Sequence, residues 1–600
     1  LVASDPLQDL FGVQFEALPA VWARPLVSGA ELTGGILRGE VLASSRAGGI
    51  ALRSRAPLTA EGLSFVPAGR PEWRDLTITF NASADYTPLG WQAEFTGLNA
   101  RSGATPLLLL DAKAGQLRGR DQALKAAGKV SGNLAALLHL AEGSQDPALT
   151  GANGSIEFVA TVADKTEIQA QVALRDLVAN VEGVTQRFPS ITTDLRADIA
   201  ADGEITMNAP MVLEQDGRRS EVTLVGTFGA LKNGSRALQG RITSPQLVFD
   251  DAKVLAALIP GNPAAIAGNL PAADGPPWAG WHGALALQLK RVIITDTFDL
   301  NDVRGRIRLE AGKVKLEAGQ ARAGVGGQVA VSGELAFDST ATQRYLLTAD
   351  LKLSEFDPGP LLRGMSGGQP PMIEGNFEVA GKLTGRASEL EALPGRLGGE
   401  FQLTSKGGIF RGLPIDANTL VETSSRIAAF ITSAGAALSA LTGRRDYLDI
   451  ANKADAVAEL ARGLSAIKFD QLHARLVRDQ AMNTTVREFT VISPELRLTG
   501  GGVATHTPET SWADDTLEFD FVLRARGRNG ELLRYLGLLE AKADDLGYAA
   551  CTIPVKVRGT VGSPDATEFS DAIASLALEK SGLTEKAAEF INRIRGNGKQ

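Results

Sequence analysis

Strict alternation of apolar and polar positions runs through most of this chain. It predicts strands with one face of each kind. Ile156, Phe158, Ala160 and Val162 alternate with Glu157 and Thr161. After Ala163-Asp164-Lys165, Ile168, Ala170, Val172 and Leu174 alternate with Gln169, Gln171 and Arg175, which reads as a hairpin. Asp202-Gly203 and Asp216-Gly217 separate further runs: Leu195, Ala197, Ile199; Ile205, Met207, Ala209; Val222, Leu224, Phe228. Asp-Gly supplies the positive φ angles that a tight hairpin turn demands. The pattern returns at Val303, Ile307, Leu309, Val314 and Leu316, at Val329, Val331, Leu335 and Phe337, and at Leu517, Phe519, Phe521, Leu523 and Ala525. Strands joined by tight turns make an antiparallel meander, so the expected class is mainly β with few helices.

Other segments break the alternation. Residues 260–281 (Pro260, Pro263, Pro271, Pro276-Pro277-Trp278) read as a loop or boundary, since proline cannot join a central ladder. Residues 416–466 read as two helices, the first with Ile427, Phe430, Ile431, Ala434 and Leu438, the second with Leu448, Ile450, Val457, Leu460 and Leu464. Leu583, Ala587, Phe590, Ile591 and Ile594 predict an amphipathic helical tail. The expected division is therefore 1–258 β repeats, 259–282 boundary, 283–415 β repeats, 416–466 helical insertion, 467–568 β region and 569–600 tail. Weak repetition accompanies it. Leu247-Val-Phe-Asp-Asp251 before a helical turn echoes Ser354-Glu-Phe-Asp-Pro358, with Asp250 and Asp357 placed as N-caps and Pro358 at the first helical position. Gly128-Lys-Val-Ser-Gly132 before Leu134–Leu138 echoes Gly381-Lys-Leu-Thr-Gly385 before Leu390–Leu393, each a strand then a short helix.

Composition narrows the function more than the fold. Of 600 residues 44% are hydrophobic, enough for a large core. The formal charge is −8, with Lys and Arg scattered among Asp and Glu, so the basic stripe of a nucleic-acid binder is missing. One cysteine, Cys551, excludes an internal disulfide framework and any multi-cysteine zinc site. The four histidines, His139, His282, His473 and His506, have no metal-ligand spacing. His139 reads as packed, His282 and His506 as loop residues, and His473 as a strand's polar face. Gly324-Val-Gly-Gly327 is not a dinucleotide fingerprint, and no Walker A, GxSxG, HExxH or EF-hand loop occurs. Asp250, Asp357 and Asp416 suit caps better than general acids. These features predict no enzyme, no cofactor and no metal. The opening Leu1-Val-Ala-Ser-Asp-Pro-Leu-Gln8 has neither the basic nor the apolar region of a signal peptide, which reads as a processed or shortened chain. Ile427–Leu441 is too short and too rich in small residues for a membrane span and reads as a buried or surface helix.

One succession of segments carries a resemblance. Leu351-Lys-Leu-Ser-Glu-Phe-Asp-Pro-Gly-Pro-Leu-Leu-Arg363 leads to Gly375-Asn-Phe-Glu-Val-Ala-Gly-Lys-Leu-Thr-Gly385, then Leu390–Leu403, then Gly407-Gly-Ile-Phe-Arg-Gly-Leu413. Arg304–Leu316 and Gly326–Leu335 precede them; Phe469–Leu476, Phe489–Gly502 and Ile553–Pro564 follow. In order and spacing these resemble the AsmA-like proteins, periplasmic relatives of the bridge-like lipid transfer proteins; residues 1–300 fit only as strand repeats. The resemblance implies an elongated antiparallel sheet curved into an open apolar groove, an inner-membrane anchor upstream, and a periplasmic setting in a two-membrane bacterium. It implies phospholipid or another acyl-chain lipid as ligand, with envelope proteins as further partners. Groove positions would be Phe158, Val162, Ile168, Val172, Leu174, Leu224, Ile307, Leu309, Val329, Val331, Phe377, Val379, Leu517, Phe519, Phe521 and Leu523. Alternation alone allows the same face to close against another layer as a sandwich. Two functions stay open: transfer of glycerophospholipid between inner and outer membranes, and a structural or adaptor role in outer-membrane protein assembly.

Overall fold

The computed structural model describes residues 9–26, 30–46, 48–67, 72–117, 122–137, 149–181, 184–252, 275–324, 326–365, 370–390, 392–411, 413, 456–457, 459–507, 514–569 and 572. The protein is mainly β, and each strand pairing with an assigned register is antiparallel. It divides into two compact units, one of Leu1–Val292 with Arg308–Ala311, the other of Ile293–Ile307 with Gly312–Gln600.

In the first unit the alternation becomes two faces because register keeps like with like. Leu52, Ala84, Ala93, Ala114, Ala126, Ala160, Ile168, Ala197, Met207 and Gly226 are successive cross-strand partners. A parallel row runs Ile50, Tyr86, Trp91, Gln116, Leu124, Val162, Thr166, Ile199, Ile205 and Phe228 on the same side. Paired residues share a face, so both rows belong to one apolar surface. The other side carries Asp111, Lys129, Glu157, Gln171 and Asp194 in register, with opposite charges as neighbours. The turns form as expected. Thr166 pairs with Val162, and at Asp216-Gly217 both residues take positive φ, 50° and 79°. At one end of the apolar face the 3-10 turn Ala20–Leu26 and the helical turn at 134–137 lie beside a core of Leu32, Leu63, Leu76 and Leu107.

The second unit continues the same logic to a different end. Ala321, Val329, Leu353, Val379, Leu403, Ala474, Phe489, Gly500, Phe521 and Val555 form one apolar row across ten strands. Its C-terminal half is closed over. Leu460 and Leu464 of the helical stretch 459–465, and Leu532 and Leu533 of helix Gly527–Tyr535, share one core with Leu472, Val491, Leu498 and Leu523. The N-terminus of helix Gly527–Tyr535 has no local cap. Instead the Glu495 carboxylate accepts the amides of Arg528 (3.3 Å) and Asn529 (3.1 Å) from a neighbouring turn. Arg528 also grips Glu459 with two nitrogens (3.0 and 2.8 Å), tying the two covering helices together.

Several local expectations need correction. The turn after Leu247 becomes helical at Phe249, so Asp250 lies inside it instead of capping it. Asp357 does accept the Gly359 amide (2.9 Å), but the helix is Gly359–Met365, and Pro358 precedes it with its carbonyl taking the first helical bond from Leu362. The Leu393 amide bonds the Leu390 carbonyl (3.1 Å), and the 3-10 helix begins only at Pro394, whose fixed φ starts it. The helix expected at 427–438, the tail helix, His139 and Asp416 lie outside the described residues.

Candidate functional site

Since no titratable cluster was expected, the candidate site is the apolar face itself. In the first unit Phe158, Val162, Ile168, Val172, Leu174 and Leu224 all stand on it, because Phe158 pairs with Ala170, Val162 with Thr166, Ile168 with Ala160, Val172 with Ile156, and Leu224 with Ala209. Large side chains here keep substantial solvent contact: Tyr86 is 52% exposed, Ile50 45%, Phe95 43%, Ile156 41% and Val162 38%. Phe95 pairs with Ala82 and Ala112, and Ile156 with Val130, so these residues share the face of the two rows above. Those two rows hold no carboxylate, amine, guanidinium or imidazole. A contiguous exposed apolar surface of this kind marks a binding region more often than scattered single residues do.

The second unit splits its candidates. Val329 and Val331 are half-buried on the apolar face, Val379 is half-buried and packs against the covered core, and Ile307, like Leu309 of the first unit, is half-buried among the exposed Arg304, Arg306 and Arg308. Phe377, Leu517, Phe521 and Leu523 are buried, Leu523 completely, and Phe519 packs against the same covered core. The structure therefore gathers the sixteen positions into two settings, open and closed, which alternation cannot tell apart.

Two depressions mark the second unit. One of about 600 Å³ lies on the polar side, among Lys352, Lys382, Glu400, His473, Arg475 and Glu488. Its charges are mixed: Arg475 approaches Glu400 (3.9 Å) and His473 approaches Glu488 (3.7 Å). The other, about 310 Å³, lies on the apolar side at the border of the covered core, among Leu383, Pro394, Leu397, Phe401, Leu403, Leu476, Arg478 and Met482.

The remaining chemistry is structural. Cys551 is buried, and burial pushes its thiol up, away from the reactive thiolate. His282 meets Ser235 Oγ at 2.8 Å through Nδ1. His506 lies at a strand end and meets the buried Asp515 through Nδ1 (2.7 Å), a contact that its Thr-His-Thr-Pro setting does not announce. Ser220 and Asp251, both buried, share a hydrogen bond, and Ser220 Oγ accepts the Val248 amide. Among the described residues no group of acidic, histidine or cysteine side chains could hold a metal ion, and no helix is long and apolar enough to cross a membrane. No family model, no curated protein and no solved structure matches this chain.

Proposed function

We propose that the apolar faces bind acyl chains, and that the protein is a lipid-transfer protein of a two-membrane envelope. In this reading it is anchored in the inner membrane and carries glycerophospholipid between inner and outer membranes, contributing to outer-membrane assembly. The observation that carries it is the register-aligned surface around Phe95, Ile156 and Val162, whose two rows carry no charge over many consecutive strands while large apolar side chains on it stay partly exposed. Exposing such area to water costs about 25 cal/mol per Å², and a bound acyl chain recovers that cost. The opposite side, with Lys129 beside Glu157 in register, suits water. The resemblance to AsmA-like proteins supports the same assignment and supplies its cellular setting. No catalytic group is needed, because a lipid exchanging along a surface makes and breaks no covalent bond.

The test is organic extraction of the purified, folded chain followed by mass spectrometry of the lipid fraction. Phospholipid near stoichiometric amounts is expected. A folded protein that carries none, and acquires none from phospholipid vesicles, sinks the proposal. The structural or adaptor reading keeps one specific support. Strand Asp9–Pro19 pairs on one side with Ala30–Arg46 and has no second partner among the described residues. Such an edge can accept a strand from another chain. Lipid-free protein that captures an extended peptide along this edge would favour it.

A further inference from the structure

The apolar depression of the second unit is lined by one guanidinium, that of Arg478, which pairs with no carboxylate of the described residues. Along strand Gln471–Arg478, Leu472, Ala474, Leu476 and Arg478 point to the same side, so Arg478 ends an otherwise apolar row. Its cross-strand partners are Gly399 and Thr484. The Arg478 Nε is buried without a hydrogen-bond partner, and no carboxylate of the described residues forms a salt bridge with the guanidinium. Neighbouring Asp479 is committed elsewhere, accepting the amide of Asn483 (2.9 Å) and its side-chain nitrogen (3.1 Å). Arg478 is half-buried, and its guanidinium has no acceptor among the described residues, which leaves its terminal nitrogens available to an anionic group.

A second observation falls on the same rim. Met482, which also lines the depression, has φ of +70°, a left-handed conformation that non-glycine residues adopt at a cost of order 1 kcal/mol or more. The Asp479–Asn483 hydrogen bonds hold that turn, with the Met482 amide bonded to the Asp479 carbonyl at 3.1 Å. The strain places a flexible thioether at the mouth of an apolar site. The volume, about 310 Å³, sits at the small end of ligand pockets. It suits one acyl chain better than two.

The geometry points to a site for a single-chain anionic amphiphile, its carboxylate or phosphate paired with Arg478 and its chain lying along Leu383, Leu397, Phe401 and Leu476. It rests on the lipid-binding reading above and refines it, adding a place where an anionic head is held by charge while diacyl lipid elsewhere is held by apolar contact alone.

The experiment measures binding of oleate, lysophosphatidate and uncharged monoolein to the full chain, for wild type, Arg478→Gln and Arg478→Lys, with thermal melting of each. Wild type should bind both anions at least about tenfold more tightly than monoolein, as a charge-assisted hydrogen bond requires. Arg478→Gln should remove that preference without lowering the melting temperature or the monoolein affinity. Arg478→Lys should keep part of it. A preference for lysophosphatidate over oleate would identify a phosphate head, and the reverse a carboxylate; either supports the site. Equal binding of monoolein and both anions by wild type overturns it, as does an Arg478→Gln protein with its preference intact. If Arg478→Gln changes nothing while co-purified phospholipid remains, only this site fails. If wild type binds no amphiphile at all, the site and the lipid-binding reading fail together.

Discussion

At the scale of residues, glycine and phenylalanine act as pairs. Phe158 stands opposite Gly128, Phe401 opposite Gly381 and Phe521 opposite Gly500. In each pair the ring occupies the space that a glycine side chain would need. A Cβ on Gly128 would come within 2.9 Å of the Phe158 ring. At Gly500 the conflict is harsher, since a Cβ would lie 2.2 Å from the Asp520 carbonyl oxygen and 2.8 Å from the Phe521 Cα. Backbone cannot swing aside as a side chain can, so Gly500→Ala should cost about 1–3 kcal/mol, read as a lower denaturation midpoint in urea. An unchanged midpoint would contradict the packing described for this ladder. The glycines are visible in the sequence, but their partners are not: pairing Phe521 with Gly500 requires knowing the register. Arg478 was hidden for a related reason. Alternation puts it on the side of Leu472, Ala474 and Leu476 as an ordinary strand-end arginine, and only the register with Gly399 shows which neighbouring strands surround it.

At the scale of elements, the strands and their turns were legible, because alternation of period two and Asp-Gly turns act within a few residues. Ile205–Gln215 and Arg218–Phe228 follow directly from that pattern and close on Asp216-Gly217. Helix ends were less legible. The carboxylate that caps helix Gly527–Tyr535 belongs to Glu495, in the turn between two strands, and no local rule connects them. Losing it leaves first-turn amides without their acceptor and removes a negative charge from the positive end of the helix dipole. Glu495→Ala should therefore lower stability by about 1–2 kcal/mol, with Glu495→Gln retaining part of it. Calorimetric melting of both variants provides the check, and a Glu495→Ala protein as stable as wild type would show that the cap is ornamental.

At the scale of the whole molecule, alternation is silent on what covers an apolar face. Ile156 and Leu523 come from equally regular runs, yet Ile156 is 41% exposed and Leu523 fully buried beneath two helices. Covering depends on residues distant in sequence, such as Leu460 and Leu533, and so could not be read from either strand. This difference makes a paired prediction. Leu523→Asp buries an unpaired charge in a closed core, costs several kcal/mol and unfolds the C-terminal region. Leu174→Glu, on the half-buried face of the first unit, lets the carboxylate reach water; that protein should stay folded and lose lipid. Circular dichroism beside lipid content distinguishes them, and equal unfolding of both variants would mean that the first unit's face is closed as well.

The central claim is that lipid occupies one side of the strands and not the other. A photo-reactive amino acid placed singly at Phe95, Ile156 or Val162, and for comparison at Lys129, Glu157 or Asp194, tests it directly. After illumination with phospholipid vesicles, intact-mass spectrometry should find phospholipid adducts at the first three positions and none at the second three. Adducts on both sides alike, or on neither side of a folded protein, would contradict the account.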